Sequence, residues 1–111
     1  RTSQALINII KNAVQALKRQ SQPQLTVELT AQQHISVTIR DNGNGISAQD
    51  LPYIFMPFFT RKKSGSGLGL AVARENILLS GGQISCHSEP DQGTAFTLSW
   101  PLAQQDRQLK N

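Results

Sequence analysis

The run Asp41-Asn42-Gly43-Asn44-Gly45 sets a carboxylate, then two glycines with one residue between them, directly after Ile35-Ser36-Val37-Thr38-Ile39-Arg40. The alternation of that preceding run reads as a half-buried strand. The carboxylate therefore stands at a strand end and offers two acceptor oxygens in a fixed place. The glycines let the backbone take positive φ or come close to another object. One use of such a site is recognition of a flat hydrogen-bond donor such as an adenine amino group; the competing reading is a solvated turn, which uses the same residue types. A second stretch, Gly65-Ser66-Gly67-Leu68-Gly69-Leu70, leads into apolar residues at helical spacing, Leu70, Val72, Ala73, Ile77 and Leu78. Glycines at a loop-to-helix junction leave backbone N–H groups unpaired at the positive end of a helix dipole, which is a phosphate site. No Gly-Lys-Ser/Thr follows, so it is not a Walker A loop. The third glycine comes one residue too early for the dinucleotide fingerprint, and no strand directly precedes it. A third pair, Asn8 and Asn12, stands at i and i+4 near the edge of an apolar helical stripe. Asparagine is a poor helix former, so two in one helix interior point to function rather than to a solvated face. A carboxamide oxygen is a usable ligand for Mg²⁺.

The elements that must position these groups can be read in order. Leu6, Ile9, Ile10, Ala13, Val14 and Leu17 form a wide apolar face on a helix over residues 3 to 20, with Thr2 or Ser3 as its cap. Ser21-Gln22-Pro23 breaks it. Leu25 to Leu29 alternates as a strand, Ala31-Gln32-Gln33 turns, and residues 34–40 return as the second strand of a hairpin ending at Asp41. Ser47 to Asp50 caps a short helix reaching Ile54. The aromatic, proline-broken run Pro52 to Phe59 combines core packing with anchorage of the basic loop Thr60-Arg61-Lys62-Lys63. After the second helix, Ser80-Gly81-Gly82 supplies a glycine C-cap. Residues 83–89 and 94–100 form a second hairpin around Pro90-Asp91-Gln92-Gly93, and Pro101 stops it.

With 111 residues, the chain is expected to hold one domain with one core, over residues 1–102, followed by a polar tail over 103–111. No run is apolar enough to span a membrane, no signal peptide is expected, and direct membrane contact is not expected. The absence of a starting methionine points to a fragment of a larger parent. The formal charge of +4 raises nucleic acid as a partner, but the basic residues are scattered apart from residues 61–63, and one tryptophan and one tyrosine make a poor stacking platform. No nucleic acid is expected. The lone Cys86 lies in a strand-like run and reads as a buried, inert thiol, which fits a reducing, cytoplasmic setting. His34 reads as a surface histidine.

Taken in order, these stretches resemble one family, the catalytic ATP-binding domain of sensor histidine kinases, in the superfamily shared with gyrase-type topoisomerases, mismatch-repair ATPases and heat-shock chaperones. Gln4 to Ala13 is similar to the family's N box, Asp41 to Ile46 to its first glycine box, Ile54 to Lys62 to its F box, and Gly65 to Leu70 to its second glycine box. Gly93-Thr94-Ala95-Phe96 resembles the Gly-Thr-x-Phe of its C-terminal strand. The resemblance implies an α/β fold, a two-layer α/β sandwich of the Bergerat type with a mixed sheet packed on a layer of helices. It implies ATP and Mg²⁺ as the bound groups. Asp41 would accept from the adenine amino group, helped by water and Thr94, while Gly43 and Gly45 would admit the ring. Asn12 would coordinate Mg²⁺, Asn8 would sit beside the phosphates, and Lys62 would contact them; these three form the catalytic set. Gly65, Gly67, Leu68 and Gly69 would line the phosphates with backbone N–H groups, and Ile46, Ser66 and Leu70 complete the nucleotide-binding residues.

The implied activity is transfer of the ATP γ-phosphate to a histidine on a separate dimerisation domain of a cytoplasmic or membrane-anchored parent, with a response regulator downstream. The chain begins at the N box, so the family's preceding strand and phosphoacceptor segment are expected to be absent, and the sheet to lack an edge. Two alternatives share the fold: an ATPase or serine kinase, and a non-catalytic interaction domain. Hydrolytic relatives carry a glutamate where this chain has Asn8, and an amide is no general base near pH 7. The intact boxes argue against a degenerate domain.

Overall fold

Ala5, Ile9 and Ala13 recur every fourth residue and are 0, 0 and 1 % exposed. Side chains four apart stack on one helix face, so this line is the buried seam of helix α1 (Thr2–Ala16). The computed structural model describes residues 2–61 and 65–102. Small residues at two of the three seam positions let α1 lie close to helix α2 (Gly69–Leu79) and to strand β2 (His34–Asp41). Val14, expected on the buried face, is 51 % exposed, because the seam runs one position earlier. The helix also ends sooner than expected: Leu17, Lys18 and Gln20 donate to the carbonyls three residues back, at 3.1, 3.3 and 3.0 Å, a tightened non-α turn.

Strands β1 (Leu25–Ala31), β2, β3 (Gln83–Glu89) and β4 (Gly93–Pro101) form one sheet in the order β1-β2-β4-β3. The two-layer α/β sandwich is thus present, but the expected mixed sheet is corrected: every pair is antiparallel among the described residues. Tight turns join β1 to β2 and β3 to β4, and a tight turn permits only antiparallel pairing. Strands β2 and β3 do run the same way, linked through α2, but β4 lies between them. A parallel pair would need another strand along an outer edge of the sheet, beside β1 or β3, and none lies there among the described residues. The β1 edge is open, and β1 is exposed throughout.

Alternation decides which side chains meet the helices. Ile39 pairs with Phe96, and Phe96 with Cys86, in one row across β2, β4 and β3. Phe96, Ile9, Ile39, Ile77 and Leu98 are the largest fully buried side chains. The segment between β2 and α2 is pinned by the same core. Ser47 Oγ accepts from Asp50 N–H at 3.2 Å and opens a 3-10 turn over Leu51–Tyr53. Ile54 then enters the core, and Phe55 meets Phe96 edge-on with ring centroids 6.2 Å apart. At its far end α2 closes as foreseen, with Gly82 N–H donating to Ile77 O and Gly81 N–H to Leu78 O, a Schellman arrangement.

Phe96 therefore joins the sheet, the helices and the segment between β2 and α2. Replacing it with alanine is expected to lower unfolding free energy by about 3–5 kcal/mol, as read by urea denaturation. A loss below about 1 kcal/mol would show that this side chain is not the centre of the core.

Candidate functional site

Strand alternation places Asp41, Thr94 and Ser88 on the helix-facing side. Asp41 is the register partner of Thr94, and Thr94 of Ser88, so the three form one row across β2, β4 and β3. Apolar side chains fill the next row inward, so polar groups stand here at the rim of a core. Asp41 is 5 % and Thr94 6 % exposed. Asp41 Oδ1 accepts from Gly43 N–H at 2.8 Å. Burial raises the Asp41 pKa above the ordinary carboxylate value, while backbone N–H groups of Gly43 and Thr94 pull it back. Two close approaches form the rim. Gly93 has φ of +112°, and a Cβ there would overlap the Asp41 carbonyl oxygen. A Cβ at Gly43 would lie 2.5 Å from the Ala16 carbonyl oxygen. Gly45 packs likewise on Glu89, and Ile46 N–H donates to Ser88 Oγ at 2.7 Å while its side chain packs on the core.

The second group of sequence-selected residues lies toward the middle of α1. Asn8 Nδ2 donates to the carbonyl of Gly69, the first residue of α2, at 3.4 Å, and Asn8 Oδ1 accepts from Gln4 at 3.2 Å. Leu68 at the N-cap provides no side-chain cap, so the first-turn N–H groups of α2 are available to an anion. Ser66 Oγ accepts from Leu68 N–H at 3.2 Å and shapes the loop. Gly67 folds back on Phe58: Phe58 N–H donates to Gly67 O at 2.7 Å, and Phe58 takes a left-handed φ of 71°. Gly65 and Gly69 are exposed in this loop, and Leu70 starts the buried side of α2. Asn12 lies on α1 between Asn8 and Ala16. Eight residues of helix separate the Asn8 contact from the Ala16 contact, or about 12 Å of axial rise, a scale comparable with an extended nucleoside triphosphate.

Lys62 lies outside the described residues. Its neighbour Arg61 is turned within the segment between β2 and α2, donating to both oxygens of Asp50 at 3.2 and 3.0 Å and lying 5.1 Å from the centroid of Phe59. That pairing holds the Asp50 carboxyl below its ordinary range. Of the expected basic cluster, Arg61 is the described member, and it is engaged locally. Cys86 is half-buried, and burial, aided by the Asp41 charge, pushes its thiol up to about 12. It is protonated and inert, as expected.

Two site residues escaped sequence reasoning. Asn42 clamps the α1–β1 connection: its Oδ1 accepts from Gln24 N–H at 2.9 Å and its Nδ2 donates to Gln22 O at 3.0 Å. Ser88 was legible in principle, because a polar residue occupies a strand position that alternation assigns to the core side. A depression of about 480 Å³ also opens at this sheet end. Its lining includes Thr26, Arg40, Ala95 and His87, the row on the face away from the helices, and also Asp41, Ser88 and Thr94 of the neighbouring row.

A buried strand-end carboxylate, and a helix N-terminus without a side-chain cap about half the length of α1 away, fit one class: an ATP-binding α/β sandwich domain. The chain belongs to the histidine kinase-, DNA gyrase B-, and HSP90-like ATPase family, whose model matches residues 1–104. It is 36 % identical over 107 residues to the sensor histidine kinase ZraS of Klebsiella oxytoca, covering 96 % of this chain and 23 % of that protein. It is 39 % identical over 105 residues to the signal transduction histidine-protein kinase AtoS of Escherichia coli, covering 95 % and 17 %. Among solved structures, the mycobacterial sensor histidine kinase MprB superposes with a TM-score of 0.77 at 29 % identity, over 88 % of this chain and 70 % of that one. The catalytic domain of histidine kinase ThkA gives 0.74 at 30 % identity, over 88 % and 64 %. The chain spans about a quarter or less of the length of the curated relatives it matches.

The Asp41 environment generates a pH prediction. A carboxyl whose folded pKa is raised gives stability that is present below its unfolded value and lost as pH rises through the folded value. Asp41→Asn removes the charge and keeps an acceptor for Gly43. The variant is expected to melt at or above the wild-type temperature at pH 7, with the difference closing as pH falls through the carboxylate range. A variant less stable at pH 7, by a margin that shrinks on acidification, would contradict this.

Proposed function

We propose that this chain is the ATP-binding catalytic domain of a two-component sensor histidine kinase. It holds ATP and Mg²⁺ and presents the γ-phosphate to a histidine on the dimerisation domain of its parent, in the cytoplasm, with a response regulator as the onward acceptor. The observation that carries the reading is the pairing of two sites along α1: the buried Asp41 row near its C-terminal end and the start of α2, without a side-chain cap, beside its middle.

At the base end, Asp41 accepts from the adenine amino group with Thr94 beside it, and Gly43, Gly45 and Ile46 shape the turn that carries the ring. The reading is supported by how closely that turn is held: side chains at Gly43 or Gly45 would collide with the backbone of Ala16 or Glu89. At the phosphate end, backbone N–H groups of Gly65, Gly67, Leu68 and Gly69 supply fixed partial positive charge, with Ser66 and Leu70 holding the loop and Lys62 adding a full positive charge. Asn12 offers a hard oxygen to Mg²⁺, and the metal would neutralise phosphate charge there. Among the described residues no cluster of three or more His, Cys, Asp or Glu could hold a metal, which fits a cation carried mainly by phosphate oxygens. Positioning and charge neutralisation are the work of such a site. Asn8 is an amide braced against Gly69, and it cannot take a proton from water, which favours transfer to an external imidazole over hydrolysis.

Calorimetric titration with ATP and ADP, with and without Mg²⁺, tests the reading. Micromolar binding with a magnesium effect is expected. Asp41→Asn should lose ATP binding by at least about 100-fold, the scale of a removed charged acceptor, while retaining a cooperative melt. Asn12→Ala should make affinity nearly independent of Mg²⁺; an unchanged metal dependence would assign the cation to another ligand.

A further inference from the structure

Ser88 Oγ makes three contacts at once. Ile46 N lies at 2.7 Å, Gly93 O at 2.9 Å and Thr94 Oγ1 at 2.8 Å. A serine hydroxyl has one proton and two lone pairs. The Ile46 amide can only donate, and the Gly93 carbonyl can only accept. The Ser88 proton therefore goes to Gly93 O, and one lone pair receives Ile46 N–H. The remaining lone pair faces Thr94, so Thr94 must be the donor. This is the one assignment that satisfies all three contacts.

The consequence falls on Thr94. Its proton is committed to Ser88, so toward any group in front of it Oγ1 presents lone pairs alone. Its register partner on the other side is Asp41, whose ionised carboxylate is also acceptor-only. We propose that Ser88 is a specificity-determining positioning residue: by taking the Thr94 proton it makes the base end of the site accept hydrogen bonds and donate none, which selects a 6-amino purine over a 6-oxo purine. The inference rests on the base-site reading given under Proposed function. A 6-amino group brings two N–H donors to this row. A 6-oxo group brings lone pairs to a row of lone pairs, and an unpaired buried acceptor is penalised rather than merely unrewarded. With no Ser88 hydroxyl, Thr94 is free to rotate and to donate forward, and the penalty on the 6-oxo base falls. Ser88 does not touch the base; it acts through Thr94.

The test compares ATP with inosine triphosphate by calorimetry on the wild-type chain, Ser88→Ala and Ser88→Thr. The wild type is expected to prefer ATP. Ser88→Ala should lower the ATP-to-inosine preference at least about tenfold, and Ser88→Thr, which keeps a hydroxyl, should retain it. A merely structural role would weaken both nucleotides by one factor, and an unchanged preference in Ser88→Ala overturns the proposal. Should Ser88→Ala not fold, Thr94→Val carries the test: loss of ATP affinity with inosine triphosphate affinity unchanged supports an acceptor-only Thr94, and equal loss of both overturns it. A wild type that binds neither nucleotide overturns the base-site reading itself. A wild type that binds ATP while Ser88→Ala leaves the preference intact overturns only the role of Ser88.

Discussion

A carboxylate buried on the core side of a strand end is the constraint on which the rest of this structure depends. Asp41 shares its strand face with Ile39 and Val37, so its side chain points toward the helices and not toward water. Burial works against its charge, and the chain around it is shaped to offset that. The backbone doubles back so that Gly43 N–H reaches the carboxylate. Strand β4 begins against the Asp41 carbonyl, which a side chain at position 93 would fill. The hydroxyls of Thr94 and Ser88 extend the polar row along the core rim, and Asn42 ties the whole turn to the α1–β1 connection. Each of these features would be a defect in a protein that needed only to fold. Together they hold one acceptor in a fixed place with its desolvation partly offset beforehand.

Helix α1 sets the distance over which that acceptor can act. It touches the first glycine turn through Ala16 and the start of α2 through Asn8. Its buried seam of Ala5, Ile9 and Ala13 fixes its rotation, and the rotation in turn decides where Asn8 and Asn12 fall. Packing thus controls chemistry here: a larger side chain at Ala13 would push α1 off β2 and α2, and move Asn12 with it.

Much of this was legible in the sequence, for identifiable reasons. Strand alternation and helical spacing are local signals, and they gave both hairpins, both helices and the strand-end position of Asp41. Glycine followed by a helix gave the α2 start. What failed were quantities set by tertiary partners. Val14 continues the apolar spacing, yet α1 turns a different line inward because α2 and β2 sit against Ala5, Ile9 and Ala13. The sheet pairing was misjudged because strand order follows from how the second hairpin docks, which no local pattern states. In the sequence Arg61 reads only as part of the basic loop over residues 60–63, but Asp50, eleven residues earlier, and the Phe59 ring hold it. Ser88 was overlooked because a serine in a strand is unremarkable until its row partners are known.

The two ends of the site are held in different ways, and the difference fits the proposed division of labour. Contacts at the base end are short and at least half-buried, at 2.7 to 2.9 Å, and each has at least one partner in the sheet. Local opening costs most where burial and ladder bonds are dense, so this end can be lost only with the fold. At the other end Asn8 reaches Gly69 at 3.4 Å, the Arg61–Asp50 pair is exposed, and Phe58 is 75 % exposed with a strained φ. These contacts can rearrange without disturbing the core. A domain that delivers a phosphoryl group to an outside imidazole cannot bury both ends of its nucleotide. It must hold the base rigidly and leave the γ-phosphate reachable, so the loop over the phosphates has to be the weaker part of the structure.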